Sequence, residues 1–109
     1  MHWDVYEVAL DIIKTLRPIV ETMARKNPRL AEQIKGAAGG IPAQLREGRR
    51  RVGKDRLHLW RIAAGSADEV IAHLDAAAAW GDVSERDAAA ARALLDRELA
   101  MLYRMTQRR

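Results

Sequence analysis

The sequence predicts an all-α protein, an antiparallel up-down-up-down four-helix bundle with a proline-kinked second helix, and three observations predict it. Apolar residues recur at spacings of three and four in four successive stretches. Short punctuation separates those stretches: Asn27-Pro28, then Gly48 and Gly53, then Gly81 followed by Ser84. No segment alternates apolar and polar residues as a half-buried strand would. With 109 residues the chain is expected to be a single domain, 1–109, whose features share one core.

The first helix is expected over roughly residues 4–25, where Val5, Val8, Ile12, Leu16, Ile19 and Met23 form the stripe and Asp11, Lys14 and Glu21 lie between. Pro18 falls inside it and removes the hydrogen bond to the Lys14 carbonyl, which predicts a bend or two abutting helices. Asn27 is a good N-cap, and Pro28 stands where its missing N–H is harmless, so the second helix starts there. Its stripe, Leu30, Ile34, Ala37 or Ala38, Ile41 and Leu45, passes through Gly39, Gly40 and Pro42 without losing phase. The helix is therefore expected to continue through them, bent where Pro42 cannot donate to Ala38, and to end with Gly48 as its C-terminal cap.

After the short basic connection "RRRVGK", Leu57, Trp60, Ala64, Ala67, Ile71, Leu74 and Ala78 hold a 3,4 repeat until Gly81. Ser84 and Asp87 resemble a capping box, and the fourth helix follows with Leu95, Leu99 and Leu102 on one face. Alanine runs at 76–79 and 88–91 flank the turn and predict a close third and fourth helix.

Charge is distributed unevenly. Between Arg46 and Arg61 stand seven basic residues against Glu47 and Asp55, whereas Ile62 to Tyr103 carries three arginines against eight acids. The net charge of +4 therefore conceals a basic corner and acidic later helices. Guanidinium groups pair with phosphate in bidentate geometry, so Arg46, Arg49, Arg50, Arg51, Lys54 and Arg56 are the candidate nucleic-acid contacts. Cations at a helix C-terminus also answer its dipole, but this cluster exceeds what capping needs. Arg104, Arg108 and Arg109 are expected to fall near the same corner. A bend at Gly39 to Pro42 would aim the end of the second helix, with its arginines, at a partner.

Other chemistry is poorly supplied. Cysteine is absent, which excludes disulfides, thiol catalysis and thiolate metal sites. His58 and His73 lie about four turns apart and share no metal-ligand spacing with each other or with His2. Ser66 has no base placed beside it, and Gly65-Ser66 reads as a site of close helix approach. Glu47 and the Asp68/Glu69 pair read as salt-bridge or capping carboxylates rather than acid-base groups. No cofactor, metal or catalytic residue is expected. Trp60 reads as packing, while Trp3 and Trp80 read as core edges or interface anchors. Phenylalanine is absent and aromatics total 5%, with no stacking motif or helix-turn-helix signature. No apolar run approaches the roughly 20 residues needed to span a bilayer, so a soluble, cytoplasmic protein is expected.

"IPAQLREG", "IAAGSADEV" and "WGDVSE" resemble the small four-helix-bundle proteins encoded in intervening sequences of bacterial 23S ribosomal RNA genes. The chain is also similar to the related accessory proteins of diversity-generating retroelements, and "LRPIVETMARKNPRLAEQI" resembles a branch with a longer first hairpin. Ile41, Pro42, Leu45, Glu47 and Gly48 match the family pattern at the kinked helix, where Gln44 and Arg46 depart from the usual Asn and Ala. Ala64, Gly65, Ser66, Asp68 and Glu69 match the second pattern. The resemblance implies a protomer of a ring-shaped homopentamer without enzymatic activity, with a basic surface for nucleic acid and for a reverse transcriptase.

Two functions follow as expectations. One is a non-enzymatic oligomeric protein that binds nucleic acid, structured RNA before DNA, through the basic corner between the second and third helices. The other is an interaction or scaffold module, such as an accessory subunit binding a reverse transcriptase, with no direct nucleic-acid contact.

Overall fold

The computed structural model describes residues 2–107 as four helices: α1 (Asp4–Met23), α2 (Pro28–Arg49), α3 (Gly53–Trp80) and α4 (Glu85–Met105). Among the described residues each helix packs on two others: α1 and α3 each on α2 and α4. The most extensive contact joins α2 to α3, and the core fills the space that the four helices enclose.

In α1 the stripe is buried throughout, from Val5 to Met23, and Asp4 and Glu7 in the first turn favour the positive end of the helix dipole. Pro18 is exposed and leaves α1 a single helix. At the α1/α2 turn the Asn27 side chain accepts from the Leu30 N–H at 3.2 Å, with Pro28 following as the first helical residue. The same side chain donates to Asp82 at 3.1 Å, and Lys26 Nζ donates to the Gly81 carbonyl at 3.4 Å. These bonds tie the α1/α2 turn to the α3/α4 turn.

The second helix runs unbroken through Gly39, Gly40 and Pro42, and Leu30, Ile34, Ala37, Ala38, Ile41 and Leu45 are all buried. Gly40 marks a close approach of α3: a Cβ built there would lie 3.1 Å from Ser66 Oγ. Gly65, the other half of the expected contact, has open space around it, so Ser66 alone makes the approach. A Cβ on Gly39 would also meet nothing within 4 Å. Gly39→Ala should therefore stabilise the protein by about 0.5–1 kcal/mol, the helix propensity that glycine forgoes, measured as a raised denaturation midpoint by circular dichroism.

Two expectations require correction. Gly48 does not cap α2, which runs one residue further and closes on Arg50 in ordinary right-handed geometry. Gly48 is instead buried, because the Trp60 indole lies where its Cβ would stand, 2.6 Å from the ring. The buried line of α3 keeps Ala67 and Leu74 as expected but runs through Ala63, Val70 and Ala77 in place of Ala64, Ile71 and Ala78. Packing between two neighbours, α3 keeps Trp60, Ala64 and Ile71 as half-buried flanks of that line.

Gly81 ends α3 with φ 81°, the left-handed conformation that glycine adopts without steric cost. Ser84 Oγ then accepts from the Asp87 N–H at 3.1 Å and starts α4. Ala77, Ala88 and Ala91 are fully or almost fully buried at this end, where small side chains let the helices close. The buried line of α4 continues through Leu95 and Leu102 and includes Glu98. Glu98 is 0% exposed, and neither carboxylate oxygen has a hydrogen-bond partner among the described residues. Burial drives its pKa up from 4.5 to about 8 against the opposing attraction of Arg97, so the side chain is held mainly as the neutral acid at neutral pH.

Candidate nucleic-acid interface

Two helix ends supply the cations of the basic corner. Arg46 and Arg49 project from the last turns of α2, Arg50 and Arg51 continue past its end, and Lys54 and Arg56 stand in the first turn of α3. Arg46, Arg49, Arg50, Arg51 and Lys54 are exposed, while Arg56 is half-buried. The cluster is thus on the surface.

Its members do different things. Arg56 donates from Nε to the Gly48 carbonyl at 3.3 Å and from Nη2 to the Arg49 carbonyl at 3.0 Å. It satisfies carbonyls that the end of α2 leaves without intrahelical partners. Arg51 pairs with Glu47 at 3.2 Å, an exposed i, i+4 contact worth little to stability. Arg46 and Arg49 instead lie over aromatic rings.

Those rings come from the start of α1, which sequence reasoning did not assign to the corner. Trp3 and Tyr6 are stacked, 6.1 Å between centroids at 11°, and Trp3 meets Trp60 at 6.1 Å and 52°. The Arg49 guanidinium lies 5.0 Å from the Trp3 centroid, Arg46 5.5 Å from Tyr6, and Arg56 5.5 Å from Trp60, all within cation–π range. Trp60 is anchored from below, its Nε1 donating to the Leu45 carbonyl at 3.3 Å. The spacing of three between Trp3 and Tyr6, and between Arg46 and Arg49, puts each pair on one helix face.

Trp3 lines the clefts of the corner. One of about 510 Å³ is lined by Trp3, Tyr6, Glu7, Arg46, Arg49 and Arg50. A second, about 380 Å³, is lined by His2, Trp3, Arg49, Arg56 and Trp60. A further cleft of about 430 Å³ carries Arg104 and Met105 beside His2 and Trp3, so the end of α4 reaches the corner. Arg61 reinforces this junction by donating to the Thr106 carbonyl at 3.0 Å. Arg108 and Arg109 lie outside the described residues. A larger cleft, about 720 Å³, lies around the Gly81 turn, where Lys26 stands opposite Asp82 and Asp87, and it offers no cationic cluster for a polyanion.

The remaining candidates for chemistry do not converge. His2 pairs with Asp4, and His73 with Glu69 at 3.3 Å, each within its own segment. Among the described residues no three His, Asp or Glu side chains gather as a metal site, and no helix is long and apolar enough to cross a membrane.

The fold is that of a known structure, a protein with unknown function from the S23 ribosomal protein family of Bacteroides thetaiotaomicron. The two share 14% identity over 95% of this chain and 99% of that one, with a TM-score of 0.87. Among curated proteins none matches significantly. Neither that structure nor the matching family model is described by a catalytic activity. The model of the 23S rRNA-intervening sequence protein family matches residues 1–104, and with four helices and the fold shared with that structure it leads to one conclusion: the chain belongs to that family.

Proposed function

We propose that this protein is a non-enzymatic nucleic-acid-binding protein, RNA before DNA, that grips the phosphate backbone through Arg46, Arg49, Arg50, Arg51, Lys54 and Arg56. The observation that carries the reading is the exposure of five of these cations at one end of the bundle. The helices are taken to alternate in direction, since one end collects Trp3, Arg49, Trp60 and Thr106 and the other Asn27 and Asp82. Assembly into a ring of identical protomers would repeat the patch and add multivalent strength to weak contacts.

The test is fluorescence-anisotropy binding of a structured RNA and a matched DNA duplex across a salt series. Log affinity should fall linearly with log salt. Changing Arg49, Arg50 and Arg51 together to Ala should reduce that slope by roughly 2–3, because each lost phosphate contact removes about one released counterion. Absence of binding even at low salt would leave a protein-binding scaffold as the function to pursue.

A further inference from the structure

We infer that the basic corner takes unpaired nucleotides, stacking their bases on a platform of Trp3, Tyr6 and Trp60 and their overlying arginines while the neighbouring cations hold the phosphates. The inference rests on the nucleic-acid reading and narrows it, from any phosphate backbone to single strands and to the loops and bulges of folded RNA.

Phosphate binding alone requires cations in solvent and no rings. Here the guanidinium groups of Arg46 and Arg49 lie over aromatic rings, 5.5 Å and 5.0 Å from the centroids, and both residues are exposed. A guanidinium backed by an aromatic ring offers a flat face on which a base stacks. Trp3 and Tyr6 are parallel within 11°, and Trp60 meets Trp3 tilted by 52°. The platform is also held in place, because Trp60 is bonded to the Leu45 carbonyl and packed on Gly48. Trp3 and Arg49 line both of the clefts, of about 510 and 380 Å³, that open at the cluster.

A duplex cannot use this arrangement. Its bases show their faces only to one another, so it engages the cations alone, whereas a single strand adds stacking. Glu7 is the carboxylate that lines the larger cleft, and it favours a strand whose base, rather than its phosphate, enters there.

The test compares single-stranded oligouridylate of about 12 nucleotides, the oligothymidylate of equal length, an RNA duplex and inorganic polyphosphate, for the wild type and for Trp3→Leu, Trp3→Tyr and Tyr6→Leu. Trp3→Leu should weaken the single strands by roughly 5- to 50-fold and polyphosphate and duplex by less than about 2-fold, with Trp3→Tyr recovering most of the loss. The two single strands distinguish RNA from DNA as the source of the bases, and either serves the proposal. Equal loss for all four polyanions, or a duplex bound as tightly as a single strand, overturns the stacking platform and leaves the phosphate surface standing. Failure of every polyanion to bind the wild type removes the phosphate surface itself.

A second readout covers the case in which Trp3→Leu fails to fold. In Trp80→Leu the remaining indoles are Trp3 and Trp60, both in the cluster. Their fluorescence should be quenched by oligouridylate at saturation and unchanged by polyphosphate. Equal response to the two ligands overturns the proposal.

Discussion

Glu98→Gln will stabilise the protein, and the gain will grow with pH. In the native state Glu98 keeps its proton up to about pH 8, whereas an unfolded chain releases it near 4.5. Between those values unfolding releases a proton, so native stability falls as pH rises through the window. Below about 4.5 the acid is neutral in both states and the variant gains almost nothing from the exchange. Above about 8 the wild type bears the full cost of burying an unpaired charge, at most about 5 kcal/mol for a shift of this size. The gain should therefore be near zero below about pH 4 and roughly 3–5 kcal/mol at about pH 8.5, read from urea midpoints of the two proteins. A difference that stays flat across this range would show that the side chain reaches water or a cation in solution.

Gly48→Ala should lower stability by about 1–3 kcal/mol, the opposite sign to Gly39→Ala in the same helix. Propensity favours alanine at both positions by up to about 1 kcal/mol. At Gly48 the new Cβ would lie 2.6 Å from Trp60 Cδ1 and Nε1 and 3.3 Å from Leu59 Cβ. A rigid indole has no flexible end to withdraw, so it must tilt, lengthening the Trp60 bond to the Leu45 carbonyl and shifting the ring away from Trp3. Thermal unfolding gives the stability change, and a red-shifted tryptophan emission reports the displaced ring. A stability gain like that of Gly39→Ala would mean that the indole is free to move.

The helices were legible because their signals are local. Asn27 caps α2 through its own side chain, Ser84 caps α4 in the same way, and Gly81 takes the left-handed turn that residues of its type favour. The phase of α3 was less legible, since Ala63 and Ala64, or Val70 and Ile71, differ little in hydrophobicity and only the positions of α2 and α4 decide between them. Glu98 stands three residues after Leu95 and four before Leu102, in the buried register, but a carboxylate without a partner is costly to bury, which favoured Leu99 for that place.

The candidate site divides along the same line. The run of cations from Arg46 to Arg56 stands together in sequence and remains together in space. Trp3 and Tyr6 are some forty residues away from it, and no spacing rule connects them to Arg49. The one available signal was that Trp3 and Tyr6, like Arg46 and Arg49, are three apart at helix ends. Gly48 was misread because a glycine near a helix end usually terminates it, whereas here it makes room for a ring from α3.

The arrangement of the helices also bears on the order in which this corner comes into being. Most packing joins helices consecutive in the chain, and such low contact order favours rapid folding. Of the four helix–helix contacts, the seam between α1 and α4 joins the two helices farthest apart in the chain, so its closure carries the largest loop entropy. The α2/α3 hairpin, with the most extensive contact, already holds Arg49, Arg56 and Trp60, but Trp3 and Tyr6 arrive only when α1 docks. A nascent or partly opened chain thus displays bare charge before it possesses rings, and the completed corner reports that the bundle has closed.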